Sequence, residues 1–261
     1  MGKMQKALKK AQQRSSAATA TATATSEASA RATPHNAAER PTAATISNSF
    51  RSDLDPHLVA LVDPEGVHAQ QYRMLVRNLD RLAEETPITS IVVTSAHGKD
   101  GRSLSAANLA CTLAENPERK VVLVDADLRA PTLHNLFALD NQRGLSEYLA
   151  GGTMLEMVLQ KCRLPNMWVL PSGRIPSSAG ELLSDKRMDD LLTRLGRDYD
   201  IVVIDAPMVA TGDPAILSPR VDGFLMVVRM GQTPAKAVKQ AVSELEKAEA
   251  RVLGTLLVGD C

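Results

Sequence analysis

The sequence lacks long apolar segments and clustered cysteines. Over 261 residues, no apolar run approaches the ~18 to 20 residues that a membrane-spanning helix needs, and the basic start is not followed by the apolar core of a secretion signal. The three cysteines, Cys111, Cys162 and Cys261, are far apart and form neither a C-x-x-C pair nor a metal-binding pattern with the five histidines. These absences predict a cytosolic protein with free thiols, in which Cys111 belongs to the apolar core.

The chain also lacks net charge, because 30 basic and 30 acidic residues cancel. The distribution is uneven, since residues 1–14 carry five basic residues and no acid. Met4, Leu8 and Ala11 fall there at helical spacing, so this segment is either an amphipathic helix that contacts an anionic membrane or a partner, or a solvated basic tail. Residues 15–52 are rich in Ala, Thr and Ser and are predicted to be a disordered tether, which leaves 53–261 as the folded domain.

From residue 65 onward, apolar periodicity predicts an α/β domain. Large apolar residues between Tyr72 and Leu82 recur at spacings of three and four, as on a helix that packs one face on a core. Apolar, β-branched runs predict strands at residues 88–96, 120–128, 167–173, 200–207, 223–230 and 251–259, with helices at 103–115, 179–196 and 233–249. This alternation predicts a mostly parallel sheet flanked by helices on both faces. Such sheets bind ligands at the carboxyl ends of their strands.

Residues 91–110, IVVTSAHGKDGRSLSAANLA, predict a strand, a phosphate-binding loop and a helix start. In the pattern G-x-x-x-x-G-K-[ST], the lysine reaches the β- and γ-phosphates of a nucleotide and the hydroxyl binds Mg²⁺. Gly101 and Ser103 match the pattern, whereas Ala96 stands at the first glycine and Arg102 replaces the lysine. The candidate nucleotide-binding residues are Ala96, His97, Gly98, Lys99, Asp100, Gly101, Arg102, Ser103 and Leu104.

Three acidic residues are predicted at the carboxyl ends of strands. Asp125 and Asp127 stand in VVLVDADL and point to the same side if the strand continues through both, and Asp205 ends the run IVVID. One such carboxylate can hold Mg²⁺, and a second can orient an attacking hydroxyl. A single aspartate at this place could equally be a helix cap or a turn residue. Three of them beside Ser103 favour a site for Mg²⁺ and a nucleotide.

Several motifs, in order, resemble the bacterial tyrosine kinases (BY-kinases) that regulate capsule and exopolysaccharide synthesis. They include TSAHGKDGRSLSAANLA, VVLVDADLRAPTLHNLF and YDIVVIDAPMVATGDPAILSPRVDGFLMVVR, and the resemblance covers about residues 65–259. It implies a P-loop NTPase fold that binds ATP through residues 96–103. It also implies Mg²⁺ held by Ser103, Asp125 and Asp205, of which Asp205 is the Walker B aspartate, with Asp127 as the catalytic aspartate and Arg102 at the phosphates.

The same resemblance implies partners. A membrane-embedded chain-length regulator, here a separate polypeptide, would activate the protein and hold it at the inner face of the cell membrane. The family's association motif, E-x-x-R-x-x-R, matches Gln70, Arg73 and Val76, so Gln70 and Arg73 are candidate contacts in a homo-oligomer. No basic stripe indicates nucleic acid as a partner.

Departures from the family pattern concern phosphoryl transfer. The family loop usually runs P-G-E-G-K-[ST], and the planar guanidinium of Arg102 does not simply replace a compact ammonium. Lys99 stands where a glycine would allow positive φ or close approach to phosphate. Both residues keep positive charge in the loop, so one of them could reach the phosphates from another direction and preserve binding while transfer is impaired. The three tyrosines, Tyr72, Tyr148 and Tyr199, do not form the family's tyrosine-rich tail, and no acceptor for autophosphorylation is expected.

Three functions are consistent with these observations. The first is an ATP-dependent protein-tyrosine kinase that regulates polysaccharide synthesis and chain length. The second is a pseudokinase scaffold that binds nucleotide, or only its membrane partner, without phosphoryl transfer. The third is a partition-type ATPase, which would place a further lysine early in the loop, where this chain has His97.

Overall fold

The computed structural model describes residues 54–259. The predicted basic segment 1–14 and tether 15–52 lie outside the described residues, as does Cys261, so the domain boundaries stay predictions. Within residues 54–259, none of the helices is long and apolar enough to cross a membrane. Cys111 is buried, as the sequence predicted.

Seven strands of the described residues form one sheet. They are β1 (Ser90–Ser95), β2 (Val121–Asp125), β3 (Gln160–Lys161), β4 (Met167–Leu170), β5 (Ile201–Asp205), β6 (Gly223–Arg229) and β7 (Val252–Val258). Their order is β3-β4-β2-β5-β1-β6-β7, and every neighbouring pair is parallel except β3 with β4. The predicted mostly parallel α/β sheet is therefore confirmed.

The helices of the described residues flank this sheet or connect its strands. They are α1 (Val59–Val62), α2 (Val67–Glu85), α3 (Arg102–Leu113), α4 (Leu133–Leu136), α5 (Leu145–Leu149), α6 (Ala179–Ser184), α7 (Lys186–Asp198), α8 (Asp213–Leu217) and α9 (Ala235–Lys247). Short 3-10 turns occupy Leu155–Met157, Val209–Thr211 and Ser218–Arg220.

Alternating strand side chains divide the core into two layers. In β1, Ile91 and Val93 belong to the cluster that contains residues of α1 to α4, whereas Val92 belongs to the cluster that contains residues of α5 to α9. Successive residues of a strand point to opposite faces of its sheet, and all three side chains are fully buried, so both faces of the sheet are covered. Coverage of both faces explains why the strands are apolar throughout rather than at every second residue.

The structure corrects the sequence prediction at two places. The predicted helix 179–196 is two helices, because Asp185 has an extended backbone (φ −67°, ψ 148°) and interrupts it. The Asp185 carboxylate accepts a hydrogen bond from the N–H of Arg187 at 2.8 Å and so caps the start of α7. Strand β3 was not predicted, because a two-residue strand carries no periodicity in the sequence.

Candidate functional site

The predicted site elements meet at the carboxyl edge of the sheet. Asp125 and Asp205 end the neighbouring strands β2 and β5 and are direct register partners. On the other side of β5, Val93 of β1 is the register partner of Asp205, and the β1–α3 loop (residues 96–101) follows β1. Asp127 lies just beyond the end of β2, so strand alternation does not place it, but its N–H donates to Oδ1 of Asp125 at 3.3 Å.

The β1–α3 loop has the backbone features of a phosphate-binding turn. Gly101 has φ 80° and ψ 21°, a left-handed conformation that favours glycine. Helix α3 begins at the next residue, Arg102, so the N–H groups of its first turn and the positive end of its dipole face the loop. Lys99 does not have a positive φ. Lys99 therefore carries none of the backbone strain that would arise if this position, where the family has glycine, needed a positive φ.

The side chains of the loop divide into exposed and buried groups. His97, Gly98 and Lys99 are exposed, whereas Asp100 is buried. Ala96, Gly101, Ser103 and Leu104 are half-buried. The loop thus presents one cation, Lys99, to solvent and carries a second, Arg102, on its buried side.

The Arg102 side chain, only 9% exposed, enters the acidic cluster. Its Nε donates to Oδ1 of Asp205 at 2.8 Å, and its Nη2 donates to Oδ2 of Asp127. Burial alone would lower the pKa of Arg102, but the two carboxylates outweigh burial and raise it, so the guanidinium stays charged. The residue that replaces the P-loop lysine therefore joins two of the predicted site carboxylates by charge-assisted hydrogen bonds.

Asp205 is the one carboxylate of the cluster with an oxygen whose hydrogen bonding is left unsatisfied. It is fully buried, and desolvation raises its pKa, while the charge of Arg102 and the Ser103 hydroxyl oppose the rise. Among the described residues, its Oδ2 is buried without a hydrogen bond of good geometry. An unsatisfied carboxylate oxygen beside a P-loop serine fits Mg²⁺, which takes oxygen ligands and few of them from protein.

Asp125 instead accepts hydrogen bonds from backbone N–H groups. Its Oδ2 accepts hydrogen bonds from the N–H groups of Leu133 at 3.1 Å and Thr132 at 3.3 Å, which hold the start of α4. Burial, and after it the charge of Asp205, raises the pKa of Asp125 well above its usual range. These contacts leave Asp125 less available to a metal ion than Asp205, and its assignment as a metal ligand stays a prediction.

Asp127 has partners at both oxygens. Oδ1 accepts hydrogen bonds from the N–H groups of Ala130 at 3.1 Å and Arg129 at 3.3 Å, and Oδ2 is bound by Arg102. The candidate catalytic carboxylate is thus oriented by the chain that follows it and paired with a guanidinium. The guanidinium therefore occupies the oxygen that an attacking hydroxyl would contact.

Two contacts near the site were not found from the motifs. Arg129 donates to both oxygens of the buried Asp213, with distances of 2.7 Å from Nε and 3.1 Å from Nη2. Thr233 donates to Oδ1 of Asp100 at 2.6 Å. The partners are 84 and 133 residues apart in sequence, so no local pattern could have connected them.

The candidate oligomer contacts lie on α2 and have partners within the chain. Arg73 donates to both oxygens of Glu115, at 2.7 Å and 2.9 Å. Gln70 donates to the backbone carbonyl of Glu65 at 3.2 Å. A role of either residue between subunits stays a prediction. For Arg73, such a role would require its side chain to leave Glu115 and bind a group of another subunit.

Comparisons with known proteins agree with the observed fold. The AAA domain model matches residues 88–216. Tyrosine-protein kinase YwqD of Bacillus subtilis is 34% identical over 209 residues, which are 80% of this chain and 88% of YwqD. The solved kinase domain of Escherichia coli tyrosine kinase ETK has a TM-score of 0.76 and 33% identity, covering 80% of this chain and 82% of that domain. The septum site-determining protein MinD of Pyrococcus horikoshii, solved with Mg-ADP, has a TM-score of 0.56 and 24% identity, covering 65% and 69%, and shows the fold alone.

The sheet and the loop at its carboxyl edge define a P-loop NTPase. Within that class, the chain belongs to the bacterial tyrosine-protein kinase family. It spans 88% of YwqD but only 28% of the full-length etk of E. coli.

Proposed function

We propose that this protein is a nucleotide-binding regulator of capsule or exopolysaccharide synthesis that transfers phosphate poorly. The observation that carries the proposal is the Arg102 guanidinium, which is shared between Asp127 and Asp205. It favours the pseudokinase alternative over an efficient kinase, while the loop supports retained nucleotide binding. The family relationship supports both kinase-derived alternatives more than a partition ATPase.

Several features of the loop and its neighbours support ground-state binding of a nucleotide. The loop ending at Gly101 and the first turn of α3 direct backbone N–H groups toward a polyphosphate. Ser103 and Oδ2 of Asp205 would hold Mg²⁺. When bound, Mg²⁺ neutralises phosphate charge. Lys99 adds a cation at the exposed side of the loop.

Phosphoryl transfer needs more than binding, because it depends on positioned charge around the moving phosphoryl group. A P-loop lysine reaches the β- and γ-phosphates, whereas the Arg102 guanidinium is held by two carboxylates. The same contact takes up Oδ2 of Asp127, which would otherwise orient the hydroxyl. Loss of one positioned electrostatic group typically lowers kcat by about 10² to 10³, so the arrangement predicts slow transfer.

The proposed cellular role depends on a partner. The family resemblance suggests a membrane-embedded chain-length regulator as a separate chain, with this protein at the inner face of the membrane and able to form homo-oligomers. Nucleotide occupancy of the loop would then change how the protein binds its partner, without phosphate being transferred.

Calorimetric titration with ATP, with Mg²⁺ and with EDTA, tests the binding half of this proposal. We expect micromolar binding that is tighter with Mg²⁺, and loss of that Mg²⁺ dependence in Ser103→Ala. Absence of binding under both conditions would contradict a nucleotide-dependent role. Transfer to a tyrosine-containing acceptor polymer tests the other half, and a wild-type rate in the ordinary kinase range of about 1 to 100 s⁻¹ would contradict impaired transfer.

A further inference from the structure

The phosphate loop is tied to the β6–α9 connection (residues 230–234) by contacts that the proposed function does not use. Asp100 lies within the loop and is only 2% exposed. Its Oδ2 accepts the N–H of His97 at 3.0 Å, and its Oδ1 accepts the Thr233 hydroxyl at 2.6 Å. A single carboxylate therefore closes the loop on itself and joins it to the chain that follows β6.

The Thr233 hydroxyl is fixed in direction by its own backbone surroundings. Its Oγ1 accepts the N–H of Arg229 at 3.1 Å, and the N–H of Thr233 donates to the Arg229 carbonyl at 3.0 Å. With Oγ1 accepting on one side, its proton is directed at Asp100. Nη1 of Arg229 also donates to the carbonyl of Lys99 at 3.3 Å. Two neighbouring residues of the loop are thus held, one by the end of β6 and the other by the connection that follows it.

We propose that Asp100 and Thr233 form a latch that keeps the loop in its phosphate-binding conformation before a ligand arrives. Thr233 is then a positioning residue, because it acts on the phosphate site through Asp100. A loop that is already ordered does not lose that conformational freedom on binding, so the latch raises affinity. The two donors also hold the Asp100 charge on the buried side of the loop, whereas phosphate is bound from its open side.

Hydrogen exchange of the ligand-free full chain tests the latch directly. In Thr233→Val, which keeps the shape but removes the hydroxyl, we expect the amide of His97, which donates to Asp100, to exchange about tenfold faster. Thr233→Ser should behave as the wild type, since it restores the hydroxyl. Thr193→Val, a substitution of an exposed threonine on α7, is the matched control and should leave the His97 amide unchanged. Unchanged exchange in Thr233→Val, or equally fast exchange in Thr233→Ser, would overturn the latch.

The effect on ligand binding rests on the proposed function and is measured separately. Thr233→Val should bind Mg-ATP about tenfold more weakly, with wild-type affinity in Thr233→Ser. Because the buried Asp100 oxygen loses its donor, the melting temperature of Thr233→Val should fall by about 2 to 4 °C, while that of Thr233→Ser stays at the wild-type value. Wild-type affinity in Thr233→Val would overturn the positioning role. If the wild type itself binds no nucleotide, the proposed function fails, and the exchange experiment still decides whether the latch exists.

Discussion

Asp205 and Asp222 lie at opposite ends of the strands of the same sheet and differ in how their charge is compensated. Asp222 precedes β6 at the amino edge, and its Oδ2 accepts four hydrogen bonds from the N–H and hydroxyl groups of Thr89 and Ser90, at 2.7 to 2.9 Å. Burial alone would raise the pKa of Asp222, but these bonds outweigh it and lower the pKa. At the carboxyl edge, burial raises the pKa of Asp205, and its Oδ2 is left without a hydrogen bond of good geometry.

The comparison separates a carboxylate that holds the fold together from one with an oxygen that the fold leaves unsatisfied. Asp222 is satisfied by groups of its own chain, which join the starts of β1 and β6. Asp205 is compensated only in part, by the Arg102 guanidinium and the Ser103 hydroxyl. A buried polar group that the fold does not satisfy is where a metal ion or phosphate complex has something to gain.

Removal of the guanidinium should give the largest effect on stability. Arg102→Met leaves Asp127 and Asp205 buried without their cation, and breaking such a pair typically costs roughly 3 to 5 kcal/mol. Urea unfolding at pH 7 measures the loss. Arg102 lowers the pKa of Asp205 against the effect of burial, so this pKa should rise further in the variant. The folded variant then gains more stability from proton uptake than the wild type as pH falls, and the deficit should shrink between pH 7 and pH 5. A deficit that does not change with pH would contradict this account.

At the opposite edge, Asp222→Asn should cost about 1 kcal/mol, because an amide oxygen accepts fewer and weaker hydrogen bonds than the carboxylate and the site is partly exposed. The folded-state pKa is lowered, so the contribution of Asp222 is present above its unfolded pKa and is lost as pH falls through the folded value. The difference from wild type should therefore be complete at pH 7 and decrease below about pH 4. Unfolding curves across pH 3 to 7 provide the measurement. A difference that grows on acidification would reverse the assigned sign.

The smallest effect is expected at Asp125. Asp125→Asn keeps one oxygen for the N–H groups of Thr132 and Leu133 and removes a buried charge, so the free energy of unfolding at pH 7 should change by less than about 1 kcal/mol. The raised pKa of Asp125 makes its ionisation unfavourable to folding, so wild-type stability should gain from Asp125 as pH falls from 7 toward 5. The variant should lack that gain, and chemical unfolding of both proteins at the two pH values shows whether it does.

The sequence predicted what depends on periodicity and on short motifs. The strand runs, the helix after residue 65 and the loop before Ser103 follow from the spacing of apolar residues and glycine, and the structure places them at one sheet edge. Asp205 was predicted at that edge because an acidic residue ended an apolar run. These features are local, so the sequence carries them.

The remaining features depend on where long side chains reach, which sequence spacing does not encode. The target of Arg102 could not be predicted, because a guanidinium at that position can face phosphate or carboxylate. The Thr233 contact with Asp100 spans 133 residues, and the Asp125 contact with Leu133 gives a predicted metal ligand a further contact at the start of a helix. The break at Asp185 went unrecognised because helical apolar spacing continues through it.

The most direct test of the central claim is the rate of phosphoryl transfer from Mg-ATP to a tyrosine-containing acceptor polymer by Arg102→Lys relative to wild type. A surface substitution, Arg194→Lys on α7, serves as the matched control, since Arg194 contacts Glu156 outside the site. If the commitment of Arg102 to Asp127 and Asp205 limits transfer, Arg102→Lys should be faster by at least about 100-fold, with no change in Arg194→Lys. Equal rates in Arg102→Lys and wild type, at saturating Mg-ATP, would contradict the account.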